Sequence, residues 1–163
     1  MFNPRIILNS SMSNQSAGIL LFRIKNKAIE VLLGHPGGPF FKNKDDGSWT
    51  IPKGEIDEGE DHLLAAKREF KEETGKELNG KYIPLEPIKY KSGKIVYAWA
   101  VEGDIDPSVL KCNTFKLEWP PRSGKYIDVP EIDRVEWVTL ARGKQKIIPA
   151  QSAFLDELEK KVK

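Results

Sequence analysis

GEIDEGEDHLLAAKREFKEETGK, residues 54–76, carries acids at helical spacing between two glycines. Glu69, Glu72 and Glu73 stand at i, i+3 and i+4, so a helix presents them on one face. Like charges at that spacing repel and cost a bare helix stability. A chain that crowds carboxylates in this way is predicted to hold a cation. Carboxylate oxygens suit Mg²⁺, with Mn²⁺ as a substitute, and such ions most often serve enzymes that handle phosphates. The alternative is a solvated helix in which Lys67 and Lys71 pair with neighbouring acids. That reading accounts for neither the flanking glycines nor the one-sided acids.

The ends of this helix are also legible. Asp61 reads as the N-cap and Gly75 as the stop. Leu63, Ala66 and Phe70 recur at i, i+3 and i+7 and are predicted to face a core. One helix thus offers a buried stripe and an acidic stripe. Upstream, Trp49 to Pro52 reads as a short extended segment. Residues 34–48, GHPGGPFFKNKDDGS, hold four glycines and two prolines and read as a loop long enough to suggest a role. Before it, residues 17–24 and 28–33 read as strands split by the polar turn 25–27. Downstream, 82–90 and 94–102 read as strands, the second with apolar residues on both faces. Residues 103–134 read as irregular, 134–140 as a strand, and 144–163 as helical with a break near Pro149. Strands, a helix, more strands and a last helix predict an α/β fold with helices on both faces of a mixed sheet.

The chain has 163 residues, 39% hydrophobic and 31% charged, with a net charge of +2. That length fits one domain with a substantial core. Residues 1–15 read as a flexible N-terminal extension, with Met12 a possible second start, and 16–163 as the domain. The charge argues against a nucleic-acid partner, and no apolar run approaches a membrane-spanning length. Cys112 is the single cysteine, so no internal disulfide forms and a reducing, cytoplasmic compartment is expected. No catalytic role is assigned to it. A monomer and a homodimer both fit.

The pattern Gly54, five residues, Glu60, seven residues, Arg68-Glu69-Phe70, one residue, Glu72-Glu73, one residue, Gly75-Lys76 resembles the box of the Nudix hydrolases. It departs at Lys76, where the family usually has an aliphatic residue. Trp49-Thr50-Ile51-Pro52-Lys53-Gly54 resembles the approach to the box in diadenosine polyphosphate hydrolases of that superfamily. GHPGGPF, EWPPRSG and PEIDRVEWV resemble segments of small, mostly bacterial Nudix proteins. The proline that marks ADP-ribose enzymes beyond the box is absent, the nearest being Pro84 and Pro87. Tyr90 lies near a tyrosine position of dinucleoside polyphosphate enzymes.

The resemblance implies an α/β/α sandwich and Mg²⁺-dependent hydrolysis of a small nucleotide. Dinucleoside polyphosphates come first and nucleoside triphosphates second; a nucleotide-binding module without hydrolysis is the third reading. It implies Glu69, Glu72 and Glu73 as metal ligands, with Glu69 or Glu72 also open as the base. The Lys53 backbone carbonyl completes the metal shell, beside Gly54. Glu60 either binds metal through water or stabilises the helix start. Arg68 either orients a box carboxylate or meets phosphate. An acid after the box is expected at Glu118, with Glu102 as competitor. Arg122, Lys125 and the Lys53 ammonium are candidates for phosphate. His35 either donates to a phosphate or is structural. Phe40, Phe41, Trp49 and Tyr82 are the aromatics placed to stack on a base, against the ordinary alternative of core positions.

Overall fold

The structure is a computed structural model that describes residues 14–109 and 113–162. The expected extension up to residue 13, Met12 included, and Cys112 lie outside the described residues. The elements run β1 (Gln15–Lys25), β2 (Ala28–Pro36), β3 (Lys53–Glu55), α1 (His62–Thr74), β4 (Ile83–Pro84), β5 (Ile88–Lys89), β6 (Ile95–Glu102), β7 (Thr114–Glu118), β8 (Tyr126–Pro130), β9 (Ile132–Thr139), α2 (Leu140–Lys146) and α3 (Ser152–Val162). A seven-stranded mixed sheet is ordered β4-β6-β1-β2-β9, with β3 paired to β1 and β5 to β6. β1 and β6 are parallel, from Gln15 opposite Ile95 to Phe22 opposite Glu102. Gln15, assigned from sequence to the extension, is therefore already in the sheet.

Period-2 alternation in β1 builds both layers. Leu20 and Phe22 pack with Val31, Leu33, Phe154, Leu155 and Leu158, under α3. Ile19 and Leu21 pack with Leu32, Ala65, Ala66 and Phe70, under α1. Helices close both faces, which makes the α/β/α sandwich. The β1–β2 turn places Asn26 at φ 52° and Lys27 at φ 69°, the left-handed pair that matches strand twist in a tight hairpin.

Several elements differ from the sequence expectation. Leu63 is only half-buried, and Ala65 joins Ala66 and Phe70 in the core. The helix leans by one position because Ala65 and Ala66 both fit under Phe70's layer. Residues 82–90 form two short strands, not one: Pro84 and Pro87 each lack a ladder donor. Within the segment read as irregular, β7 and β8 pair as a separate hairpin. Its alternation was masked by turn residues around Pro120 and Gly124. The C-terminal helical region starts earlier than expected, where Thr139 accepts from Arg142 N at 3.2 Å and opens α2. It breaks as predicted, in a 3₁₀ turn over Pro149–Gln151 before α3.

α3 closes its face chiefly through Phe154, which is fully buried. Phe154→Ala is expected to cost about 3–5 kcal/mol in urea unfolding. A loss below about 1 kcal/mol would mean that α3 does not close this layer.

Candidate active site

α1 is held at both ends. Asp61 Oδ2 accepts from Leu64 N at 3.1 Å, and Gly75, at φ 76°, donates to Lys71 O at 2.7 Å. Between these caps Glu69 is 8% exposed and Glu73 2% exposed. The acidic stripe and the core stripe are therefore not opposite: both glutamates sit at the edge of the face that carries Phe70. Glu69 lies against Gly54, where any Cβ would overlap its carboxylate. That is the physical reason for glycine there. Glu73 Oε1 accepts from Lys53 N at 3.1 Å.

The third member of the cluster is Glu131, in the connection between β8 and β9. Glu69, Glu73 and Glu131 each offer an oxygen within 4.8 Å of the others. Glu131 is fixed through its backbone: its N–H donates to Asn113 O at 3.1 Å, and its carbonyl accepts from Gly37 N at 3.2 Å. Burial pushes Glu73 up to about 9, and the neighbouring Glu69 and Glu131 add to the rise while Lys53 opposes it. Burial also raises Glu69, against the lowering hydrogen bond from Arg68. Crowded, desolvated carboxylates hold protons unless a cation replaces them. Their clustered hard oxygens are compatible with a divalent metal ion.

Arg68 is spent on the box itself. It donates to Glu60 at 2.8 and 2.9 Å, to Glu69 at 2.8 Å, to Glu72 at 3.1 Å and to Glu55 O at 3.0 Å. The geometry is that of an orienting residue, with its donors turned toward protein oxygens. Glu60 also accepts from Asp57 N at 3.0 Å. Arg68 holds the Glu60 carboxyl below its usual range, and Glu60 stands outside the clustered acids. Glu72 is 38% exposed at its side chain, more open than Glu69 and Glu73; Asn113 Nδ2 donates to it at 3.4 Å.

The structure places other sequence candidates differently. Glu118 lies on β7 and accepts from Gly124 N at 2.9 Å, within its own hairpin; it is not among the clustered acids, and Glu131 takes that place. Arg122, at φ 63°, is exposed in the hairpin's turn. His35 is fully buried: Nε2 donates to Lys44 O at 2.7 Å and Nδ1 faces Asp133 at 3.0 Å. Both ring nitrogens are committed, so His35 is structural and does not reach a substrate. Trp49 is fully buried too, with Nε1 donating to Asp45 at 2.8 Å, so it cannot stack on a base. Together they anchor the 37–48 loop.

That loop walls a cleft of about 590 Å³ lined by Phe40, Phe41, Lys44, Lys53, Tyr90 and Ile148 among others. Phe41 stands edge-on to the exposed Phe40 at 4.9 Å. Tyr82 lies elsewhere, in a depression with Lys67 and Leu78, its ring under the Lys67 ammonium at 4.5 Å. Lys53 joins the two halves of the site: its backbone N–H holds Glu73, and the residue is part of the cleft lining. Desolvation lowers its ammonium pKa, Lys94 adds to this, and Glu73 and Glu69 oppose it.

Sequence reasoning missed Glu131 and underweighted Tyr90 as a wall. PEIDRVEWV holds two glutamates, and without the β7–β8 hairpin nothing in the sequence shows that Glu131 folds back onto α1.

The NUDIX domain family matches residues 12–158, and the chain belongs to the Nudix family of pyrophosphohydrolases. It is 34% identical over 105 residues to an asymmetrical bis(5′-nucleosyl)-tetraphosphatase of Rattus norvegicus, covering 56% of this chain and 66% of that protein. It is 29% identical over 119 residues to an RNA pyrophosphohydrolase of Brucella anthropi, covering 68% of this chain and 67% of that one. The chain thus spans about two thirds of the length of these curated relatives. The fold is shared with a C. elegans Ap4A hydrolase in a binary complex, with TM-score 0.61, 24% identity, and coverage of 88% of this chain and 95% of that chain.

Two outcomes are expected from this geometry. In Gly54→Ala the added methyl meets the end of a flexible side chain, so far-UV circular dichroism stays unchanged while Glu69 moves. Turnover should fall by roughly 10², the scale of an ångström-level misplacement in a reacting site; an unchanged rate would show that Glu69 need not lie on Gly54. The second outcome concerns pH. Glu73, raised to about 9 from 4.5, keeps its proton in the fold where the unfolded chain has lost it. Without metal, its contribution to stability is therefore full below about 4.5 and is lost as pH rises toward about 9. Melting curves of wild type and Glu73→Gln should diverge across that window, the variant gaining relative stability as pH rises. Parallel curves would contradict the buried, protonated Glu73.

Proposed function

We propose that this protein hydrolyses a pyrophosphate bond of dinucleoside polyphosphates, such as diadenosine tetraphosphate, with Mg²⁺. The carrying observation is the Glu69–Glu73–Glu131 cluster beside a nucleotide-sized cleft, with Lys53 belonging to both. Glu69, Glu73 and Glu131 would hold the ion, with the Lys53 carbonyl as a further oxygen. A bound divalent cation supplies charge neutralisation and Lewis acidity at the phosphate chain. Arg68 fixes the carboxylates in place. Glu72, half-exposed beside the cluster and held by Arg68 and Asn113, is the group that takes a proton from water in this reading; general bases of this kind contribute about 10²–10⁴ in rate. The Lys53 ammonium meets the phosphates, and Phe41 borders the nucleoside. The catalytic unit runs from β1 through α3.

A long charged chain carrying two nucleosides uses both the cleft and the open ground before it. The tetraphosphatase of Rattus norvegicus supports that substrate. The specificity constant for diadenosine tetraphosphate should therefore exceed those for ATP, dATP and ADP-ribose at fixed Mg²⁺, with ATP among the products. If one of the others outruns the dinucleotide about tenfold, the substrate is misassigned, though the family is not.

Glu131 and Glu118 separate cleanly by mutation. Glu131→Gln should lower kcat by roughly 10² or more, within the range for losing a group that acts only at the reacting centre. Glu118→Gln should change it by less than about threefold, as surface substitutions usually do. The reverse order would return the post-box role to Glu118.

A further inference from the structure

Gln151 sits in the 3₁₀ turn that precedes α3, fully buried. Its amide is used at both ends. Oε1 accepts from Ile51 N at 3.0 Å, and Nε2 donates to the Tyr90 hydroxyl oxygen at 2.9 Å. The direction of this chain is fixed by the backbone. An Ile51 N–H can only donate, so the amide oxygen must face it, and the amide N–H₂ must then face Tyr90. The Tyr90 oxygen is thereby an acceptor within the protein. Its proton finds no acceptor among the described residues. Tyr90 lines the cleft with Phe41 and Lys53, and its backbone is fixed by a turn in which its N–H donates to Lys94 O at 2.7 Å. Burial raises its pKa, so the proton is retained.

We propose that Gln151 is a positioning residue for nucleotide recognition: it makes Tyr90 an obligate hydrogen-bond donor on the cleft wall, which selects a nucleoside presenting an acceptor atom there. The proposal rests on the nucleotide reading of the cleft and adds the direction of the hydrogen bond that the cleft offers. It places recognition far along the sequence from the box, through a residue that touches no substrate. Because the contact is to the nucleoside, it strengthens binding without touching the reacting phosphorus.

The test uses the full chain as wild type, Tyr90→Phe, Gln151→Glu and the double variant, with ATP binding read by calorimetry and turnover read alongside. In Gln151→Glu a carboxylate accepts from Ile51 N–H and also from the Tyr90 hydroxyl, which turns the proton away from the cleft. Each single variant should weaken ATP binding about fivefold, the scale of one hydrogen bond, and raise KM with kcat unchanged. The double variant should be no weaker than either single one, since both remove the same donor. Additive losses, or a Gln151→Glu loss confined to kcat, would overturn the proposal. Should glutamate at 151 unfold the chain, the side-chain amide resonance of Gln151 in the folded wild type decides. It must shift on Tyr90→Phe, and shift when ATP binds to wild type but not to Tyr90→Phe; no shift overturns the proposal. A wild type that binds ATP but does not cleave diadenosine tetraphosphate removes the substrate reading alone. A wild type that binds no adenine nucleotide overturns both.

Discussion

Two carboxylates buried on one helix, Glu69 and Glu73, are the constraint on which the site depends. Taking a carboxylate out of water is costly unless it is paired, protonated or bound to metal. The surroundings meet that cost only in part. Arg68 serves Glu69 from the helix, and the Lys53 N–H serves Glu73 from β3. Gly54 brings the backbone close enough to bury Glu69, and Glu131 then arrives from the β8–β9 connection with a further carboxyl group. Arg68 is also shared with Glu60 and Glu72, so the described cluster remains acid-rich. A cation is what such an arrangement fits.

The rest of the fold can be read as the means of bringing those groups together. β3 pairs with β1, which places Lys53 and Gly54 at the sheet edge beneath α1. The β7–β8 hairpin returns the chain so that Glu131 reaches the same place, and its carbonyl ties to Gly37 at the start of the cleft loop. That loop is anchored from below. His35 holds Lys44 O, while Trp49 and Lys146 both donate to Asp45. A long glycine-rich segment is thereby given one shape over the cleft, as expected of a binding loop on a rigid scaffold.

The box was legible in the sequence because its information is local. Helical spacing puts Glu69, Glu72 and Glu73 within one turn, and Asp61 and Gly75 mark the ends without help from the rest of the chain. The two-sided burial of β1 and β6 was legible for the same reason. At the site, the alternatives that the sequence leaves open turn on long-range contacts. Nothing near His35 in the sequence shows Asp133 closing over it, and nothing near Trp49 shows α2 beneath it. Glu118 and Glu131 are both acids after the box, and only the pairing of Leu117 with Ile127 decides which one is turned back toward α1. Burial of Glu73 could not be inferred from periodicity, which treats every glutamate as solvent-facing.

The most direct test of the proposed cation site is a titration of the protein with Mn²⁺, following the free ion by electron paramagnetic resonance. Wild type and Glu118→Gln should bind the ion alike, and Glu73→Gln and Glu131→Gln should lose most of that affinity. Equal Mn²⁺ binding by wild type and Glu73→Gln, or no binding by wild type at saturating protein, would contradict the assignment of these buried carboxylates to a metal.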